Sequence, residues 1–153
     1  MEVKDKNFTA GDMFEIKLSS GFGYMQYVYS DDQYGAFMRV LPGEREAPPE
    51  IESVARTKEI TSVFFPLRVA LRKKIVKKVG LAPLPAGISV PPMLRMRGPM
   101  LNDGKPVSWW IWSGDDDIRK VGSLTPEQKT FPILGVANDT AIKEIIEGTY
   151  QLD

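Results

Sequence analysis

Three strand patterns follow one another in residues 12–41, DMFEIKLSSGFGYMQYVYSDDQYGAFMRVL. In the first pattern, Phe14, Ile16 and Leu18 recur at every second position, which predicts a half-buried strand with these side chains facing inward. Short turn signals separate it from an aromatic strand over 22–29 and from a third strand over 34–41. Successive strands joined by short turns predict an antiparallel meander.

Further strands are predicted beyond this meander. A polar loop with a short helical turn at 51–55 leads to a fourth strand that begins at Val63. Residues 107–112 form a tryptophan-rich strand, and residues 118–121 either pair back on it or extend the following loop. A last strand over 131–136 is a further expectation.

Residues 66–79 fit two structures. Pro66 and Gly80 frame a helix in which an apolar residue recurs every four positions. Alternatively, two strands flank a basic turn at 72–74, and their β-branched content favours this second interpretation. The proline-rich residues 81–106 predict a loop that wraps over the domain.

Two helix starts follow. Thr125 and Gln128 form a capping pair for a helix of one or two turns. Asn138 or Asp139 caps a helix with a stripe of isoleucines, and Gly148 ends it.

These elements predict one mostly-β, α+β domain over residues 1–153. We expect a bent antiparallel sheet or a partly open small barrel, with a C-terminal helix packed against it. No apolar run reaches the roughly 18 residues of a membrane span, and residues 1–6 lead into no signal peptide. A cytoplasmic protein without membrane contacts is the simplest expectation.

Histidine and cysteine are both absent. Their absence excludes Ser-His-Asp triads, thiolate nucleophiles and zinc sites built on imidazole or thiolate ligands. The sequence contains no glycine-rich phosphate-binding motif and no acidic pair in a recognisable catalytic motif. We therefore expect a protein that binds another macromolecule, with no enzymatic activity, no cofactor and no metal.

Charge is unevenly distributed, although 20 basic and 20 acidic residues sum to zero. Residues 63–108 hold nine basic residues and one acid, a net charge of +8, which leaves −8 for the remainder. Opposed fields of this kind steer charged partners. The alternative is that the two blocks interleave in space and neutralise each other.

Several short motifs occur in the order of a known family. They are GDMFEIKL over 11–18 followed by GFGY over 21–24, the hydrophobic strand around Val63, VGLAPL over 79–84, and the pair Pro91-Pro92. In these motifs the chain resembles the predicted bacterial immunity proteins of the immunity protein 26 family. It departs from the family pattern before Gly80, where the family often carries tryptophan.

The resemblance implies a cytoplasmic antitoxin. Such a protein binds one cognate polymorphic toxin and blocks it by steric or electrostatic occlusion, which protects the producing cell in contact-dependent competition between bacteria. The implied mechanism needs no catalysis and no cofactor.

We place the expected toxin contacts on an acidic surface, because acidic side chains can plug the basic groove of a nuclease. The acidic candidates are Asp31, Asp32, Glu44, Glu46, Asp115, Asp116 and Asp117, with Tyr34 and Trp112 as aromatic anchors. For Trp112 the alternative is a place in the core, and for the triple-aspartate turn it is simple solvation.

A nucleic-acid-binding small β-barrel is the alternative function. It would use the basic residues Arg68, Arg72, Lys73, Lys74, Lys77 and Lys78. The structural alternative is an exposed strand edge or turn, where lysine discourages edge-to-edge pairing.

Overall fold

A computed structural model describes residues 8–44, 46, 50–98, 108–114 and 118–149. Within them, eight strands and three α-helices follow in this order: β1 Asp12–Lys17, β2 Phe22–Asp31, β3 Gly35–Glu44, α1 Ile51–Ala55, β4 Thr61–Phe65, α2 Leu67–Arg72, β5 Val76–Leu81, β6 Leu94–Arg97, β7 Trp109–Trp112, β8 Ile118–Gly122 and α3 Asp139–Glu147. A 3₁₀ helix at Gln128–Thr130 precedes α3.

The predicted meander forms the larger of two antiparallel sheets. Its strands lie in the order β4-β3-β2-β1-β5, and every pair is antiparallel. The mostly-β fold with a C-terminal helix is confirmed, and neither sheet closes into a barrel in the described part of the chain. We call this sheet the five-stranded sheet.

Both faces of the five-stranded sheet are covered, which the alternation in β1 did not indicate. On one face, Phe14 and Ile16 pack in a core that includes side chains of α2 and α3. On the other, Met13 is fully buried against α1 and Ala82, and Glu15 is only 9% exposed. The prediction of a half-buried strand is therefore wrong for Met13 and Glu15, because α1 supplies a second apolar cover, whereas Lys17 is exposed as expected.

Three short strands form a second sheet in the order β6-β7-β8, which we call the three-stranded sheet. The pairing of residues 118–121 with the tryptophan-rich strand is thus confirmed. The prediction of one continuous loop over 81–106 is wrong for β6, which forms just after Pro91-Pro92. No proline lies within Leu94–Arg97, so this strand keeps the N–H donors for its ladder with β7.

The region 66–79 is a helix followed by a strand. Leu67–Arg72 is helical, and the chain then turns through Lys74, whose φ of 60° is in the left-handed region, into β5. The predicted first strand is wrong because Leu67 and Ala70, three positions apart, are the side chains that the core buries. The second strand is confirmed and becomes an edge of the five-stranded sheet.

Both predicted helix starts are present. The Asn138 side chain accepts a hydrogen bond from the backbone N–H of Ala141 at 2.8 Å, and α3 ends at Gly148 with a φ of 81°. The backbone N–H of Thr125 donates to the Gln128 side chain at 2.9 Å, which leads into the single 3₁₀ turn. The strand expected over 131–136 is absent, and two isolated bridges form instead.

Candidate binding groove

The acidic candidates that the structure describes do not form one surface. The carboxylate of Asp31 accepts hydrogen bonds from the backbone N–H groups of Gln33 at 2.9 Å and Tyr34 at 3.0 Å, so this buried side chain stabilises the β2–β3 turn. Asp32 is exposed beside it, and both aspartates line a cavity of about 290 Å³. Arg68, from the basic set, lines the same cavity.

Glu44 lies at the opposite end of β3 from this turn. Nine residue steps separate Gly35 from Glu44, a distance of about 30 Å in an extended strand. Glu44 and Glu46 are both exposed. Asp115, Asp116 and Asp117 lie outside the described residues. The structure therefore brings Asp31 and Asp32 together and places the two glutamates far from them.

Both aromatic anchor candidates belong to one cluster of packed rings. Trp112 is 1% exposed, and its ring lies edge-on to Phe64 with the centroids 5.8 Å apart. The half-buried Tyr34 contacts both rings, at 5.2 Å from Phe64 and 6.1 Å from Trp112. The prediction that Trp112 is a surface anchor is wrong. Its ring is buried in the cluster that joins the two sheets.

The basic candidates divide into two groups. Lys77 and Lys78 lie on β5 at the edge of the five-stranded sheet, where Lys77 pairs with Glu15 at 3.5 Å and Lys78 pairs with Asp12 at 3.1 Å. These two lysines lie on an exposed strand edge, and here the basic block interleaves with acidic residues. The other four lie on α2 and the turn that follows it, all of them exposed: Arg68, Arg72, Lys73 and Lys74.

A groove that the sequence did not reveal lies where the two sheets meet. We call residues 132–137 the crossing segment, because it bonds first to one sheet and then to the other. The backbone N–H of Arg95 on β6 donates to the carbonyl of Pro132 at 3.0 Å, and that of Phe64 on β4 donates to the carbonyl of Gly135 at 2.9 Å. Between these two points of attachment, the two sheets and the crossing segment border a cavity of about 480 Å³.

The walls of this junction groove come from three separate parts of the chain. They are the edge strand β4 with the residues before it, the outer strand β6, and the crossing segment with the end of α3. Its lining comprises Lys58, Glu59, Ile60, Thr61, Ser62, Val63, Arg95, Arg97, Thr130, Phe131, Pro132, Ile133, Leu134, Gly135, Val136, Ala137 and Ile145.

The charge of the junction groove is positive. Lys58 and Arg97 are exposed, and Arg95 is half-buried. The single acid of the lining, Glu59, accepts hydrogen bonds from Nε and Nη2 of Arg39 at 3.1 and 3.0 Å. Lys58 and Arg95 therefore add positive charge beside a carboxylate that is already paired, and this favours an acidic occupant.

Arg95 is held in a defined position within the groove. Its Nε donates to the carbonyl of Phe131 at 2.7 Å, and its Cζ lies 5.2 Å from the ring centre of Trp109. Burial, and then repulsion from Arg97, lowers the pKa of the Arg95 guanidinium, which stays charged near neutral pH. A guanidinium fixed in this way loses little conformational freedom when it binds a carboxylate.

Sequence reasoning missed this groove, although it contained one signal. Arg95 and Arg97 alternate with apolar residues in Leu94–Arg97, a period-two pattern that puts both arginines on one face of a strand. The predicted loop concealed that pattern.

Comparisons with family models, curated proteins and solved structures found no match to this chain. Among the described residues, no three acidic side chains are grouped so that they could hold a metal ion. The helices of the described ranges are all too short to cross a bilayer.

Proposed function

We propose that this chain is a toxin-neutralising immunity protein that uses the junction groove to occlude a partner protein. The resemblance to the immunity protein 26 family supplies the class of partner. The observation that carries the choice of surface is the groove itself: an open cavity with three cations and one paired acid in its lining.

The surroundings of the groove also favour a protein partner. Ile60 is 38% exposed and Val136 is 60% exposed, and both line the cavity. Apolar side chains at the rim of a charged cavity suit an amphipathic protein surface, which buries them while its carboxylates meet the arginines. This location replaces the acidic surface expected from the sequence, since the described acidic candidates are dispersed.

The partner is tested through the neighbouring reading frames. We expect one of them to encode a large protein with a C-terminal toxin domain, and co-expression of this chain to restore growth to cells that produce that domain. Calorimetry with the purified pair then measures the affinity. A neighbouring toxin that neither binds the chain nor loses activity in its presence would refute the proposal.

The surface is tested by charge reversal. The double variant Lys58→Glu/Arg97→Glu should weaken toxin binding about 100-fold, because it replaces two attractive charges with two repulsive ones. The matched control is Arg72→Glu/Lys73→Glu, an equal charge change at the end of α2, which should change affinity less than about threefold. Equal loss in both variants would show a general field effect and would contradict a specific groove contact.

Nucleic-acid binding is the second candidate, and the exposed cations at the end of α2 favour it. Retention on an oligonucleotide column should then fall steeply with salt, and the Arg72→Glu/Lys73→Glu variant should abolish it. Retention that is absent at low ionic strength would exclude this candidate.

A further inference from the structure

We infer that the junction groove receives an extended acidic segment of the partner protein, which adds to β4 as a further strand beside Ser62. This inference rests on the proposed function and names the binding mode at that groove. It depends on the direction of the backbone groups of β4, on the path of the crossing segment, and on the charge and apolar surface around them.

The outer side of β4 is only partly paired. The N–H of Phe64 donates to Gly135, and the carbonyl of Phe64 accepts from the N–H of Ala137 at 2.8 Å. Both backbone groups of Phe64 therefore point away from β3. In a pleated strand the residue two positions away points its backbone groups to the same side, so those of Ser62 also face outward.

The crossing segment does not pair with Ser62. In the register of the parallel bridge between Phe64 and Val136, Leu134 would lie opposite Ser62, but this part of the segment is bonded to β6. The carbonyl of Pro132 and the N–H of Leu134 are both engaged by the backbone of Arg95, at 3.0 and 2.9 Å. Among the described residues, no backbone hydrogen bond joins Ser62 to the crossing segment. Ser62 instead lines the cavity.

A sheet edge of this kind is a template for an incoming strand. The cavity of about 480 Å³ is within the usual range for pockets that take small ligands, roughly 300–1,000 Å³. It therefore has room for a few side chains of an extended segment, while the rest of that segment lies over the rim.

Charge and rim determine the chemistry of the added strand. Lys58 and Arg95 select carboxylates, and the exposed Ile60 and Val136 select apolar side chains. Side chains of a strand alternate between its two faces. The occupant is therefore a segment of the partner protein in which acidic and apolar residues alternate.

The experiment uses three capped nine-residue peptides and the full chain. The first alternates Glu and Val, the second alternates Lys and Val, and the third is the first with N-methyl groups on alternate peptide bonds. We expect the Glu-Val peptide to bind at least tenfold more tightly than either of the others, and to slow hydrogen exchange at the Ser62 amide. Binding of the Lys-Val peptide with equal affinity, or no binding of the Glu-Val peptide, would overturn the inference.

A chain variant tests the backbone contact directly. Ser62→Pro removes the outward N–H and should lower affinity for the Glu-Val peptide about tenfold, whereas Ser62→Ala keeps the N–H and should leave affinity unchanged. If Ser62→Pro does not fold, as circular dichroism would show, the N-methylated peptide on the unmodified chain gives the same test. Exchange at Ser62 that is unchanged by bound peptide would refute strand addition.

The two proposals fail differently. A toxin that binds the unmodified chain and Ser62→Pro with equal affinity would leave the immunity function standing and refute strand addition. The opposite result is that the acidic peptide slows hydrogen exchange at the Ser62 amide but the neighbouring toxin domain does not bind. That result would support the edge site and refute the toxin as its partner.

Discussion

Replacing Arg39 with methionine should lower the free energy of unfolding by about 4 kcal/mol. The Arg39 side chain is 1% exposed, yet it donates to four groups: the carboxylate of Glu59, the side-chain oxygen of Gln26, and the carbonyls of Ala55 and Thr57. The substitution removes every one of these donors, although methionine keeps much of the side-chain length.

The magnitude follows from what is left behind. Glu59 is 28% exposed, so its carboxylate regains water when the guanidinium is lost. The other three acceptors lose their donor in a largely buried site, at about 1–3 kcal/mol each. Burial of the apolar methionine side chain offsets about 2 kcal/mol of this loss. The free energy lost by leaving three acceptors unpaired therefore exceeds that lost with the Arg39–Glu59 ion pair.

The control is Glu59→Gln, which removes the charge but keeps an oxygen acceptor. It should cost about 2 kcal/mol, because the buried guanidinium loses its counterion but keeps all four acceptors. Guanidinium chloride unfolding, followed by tryptophan fluorescence and circular dichroism, gives both free energies. Equal losses in the two variants would refute the reasoning, since they would show that the ion pair, not the orphaned acceptors, determines the cost.

Two further predictions, one with a control substitution, test particular positions. Gly11→Ala should destabilise the fold by more than about 3 kcal/mol, since a Cβ at this φ of 103° would meet a backbone carbonyl at 2.3 Å. The control is Gly87→Ala, which has a φ of 89° but open space around it and should cost only about 1 kcal/mol. Thermal unfolding measures both. Burial and the hydrogen bond to Glu15 raise the pKa of Tyr24, so its contribution to stability is intact below pH ~10 and declines as pH rises further, when the unfolded phenol ionises. Tyr24→Phe should flatten that alkaline decline and cost about 1 kcal/mol at neutral pH, and an unchanged pH profile would contradict this.

Elements with local signals were predictable from the sequence. The α3 helix carries its cap at Asn138 and its stop at Gly148, so its limits depend on residues that are adjacent in the chain. The short helix at Ile51–Ala55 and the meander of β1 to β3 were also accessible from turn chemistry and period-two alternation.

Elements that depend on distant contacts were not predictable. Leu67, Val69 and Leu71 satisfy a strand pattern, yet Val69 is 37% exposed and the fold uses Leu67 with Ala70 instead. Only the position of the core under α2 decides between the two periods. The buried second face of β1 has the same cause, because α1 approaches it from nearly forty residues away in sequence.

The candidate site depends on such contacts entirely. Its walls lie near residues 60, 96 and 134, which are far apart in sequence. No local sequence pattern predicts that these regions meet. Some of the acidic residues chosen from the sequence are exposed charges. Their closeness in sequence and the net charge do not indicate which of them share a face of the fold. The groove exists because β6 packs against the crossing segment, a contact between residues that are distant in sequence.

The location of α3 has a consequence for how the chain matures on the ribosome. All five strands of the larger sheet are complete by residue 81, but Ile142 and Ile145 of α3 belong to the core on one of its faces. At a synthesis rate of about 5–20 residues per second, the roughly 60 intervening residues take about 3–12 s to appear. During that interval a nascent chain exposes part of an apolar sheet face, where a chaperone would bind most strongly before α3 emerges.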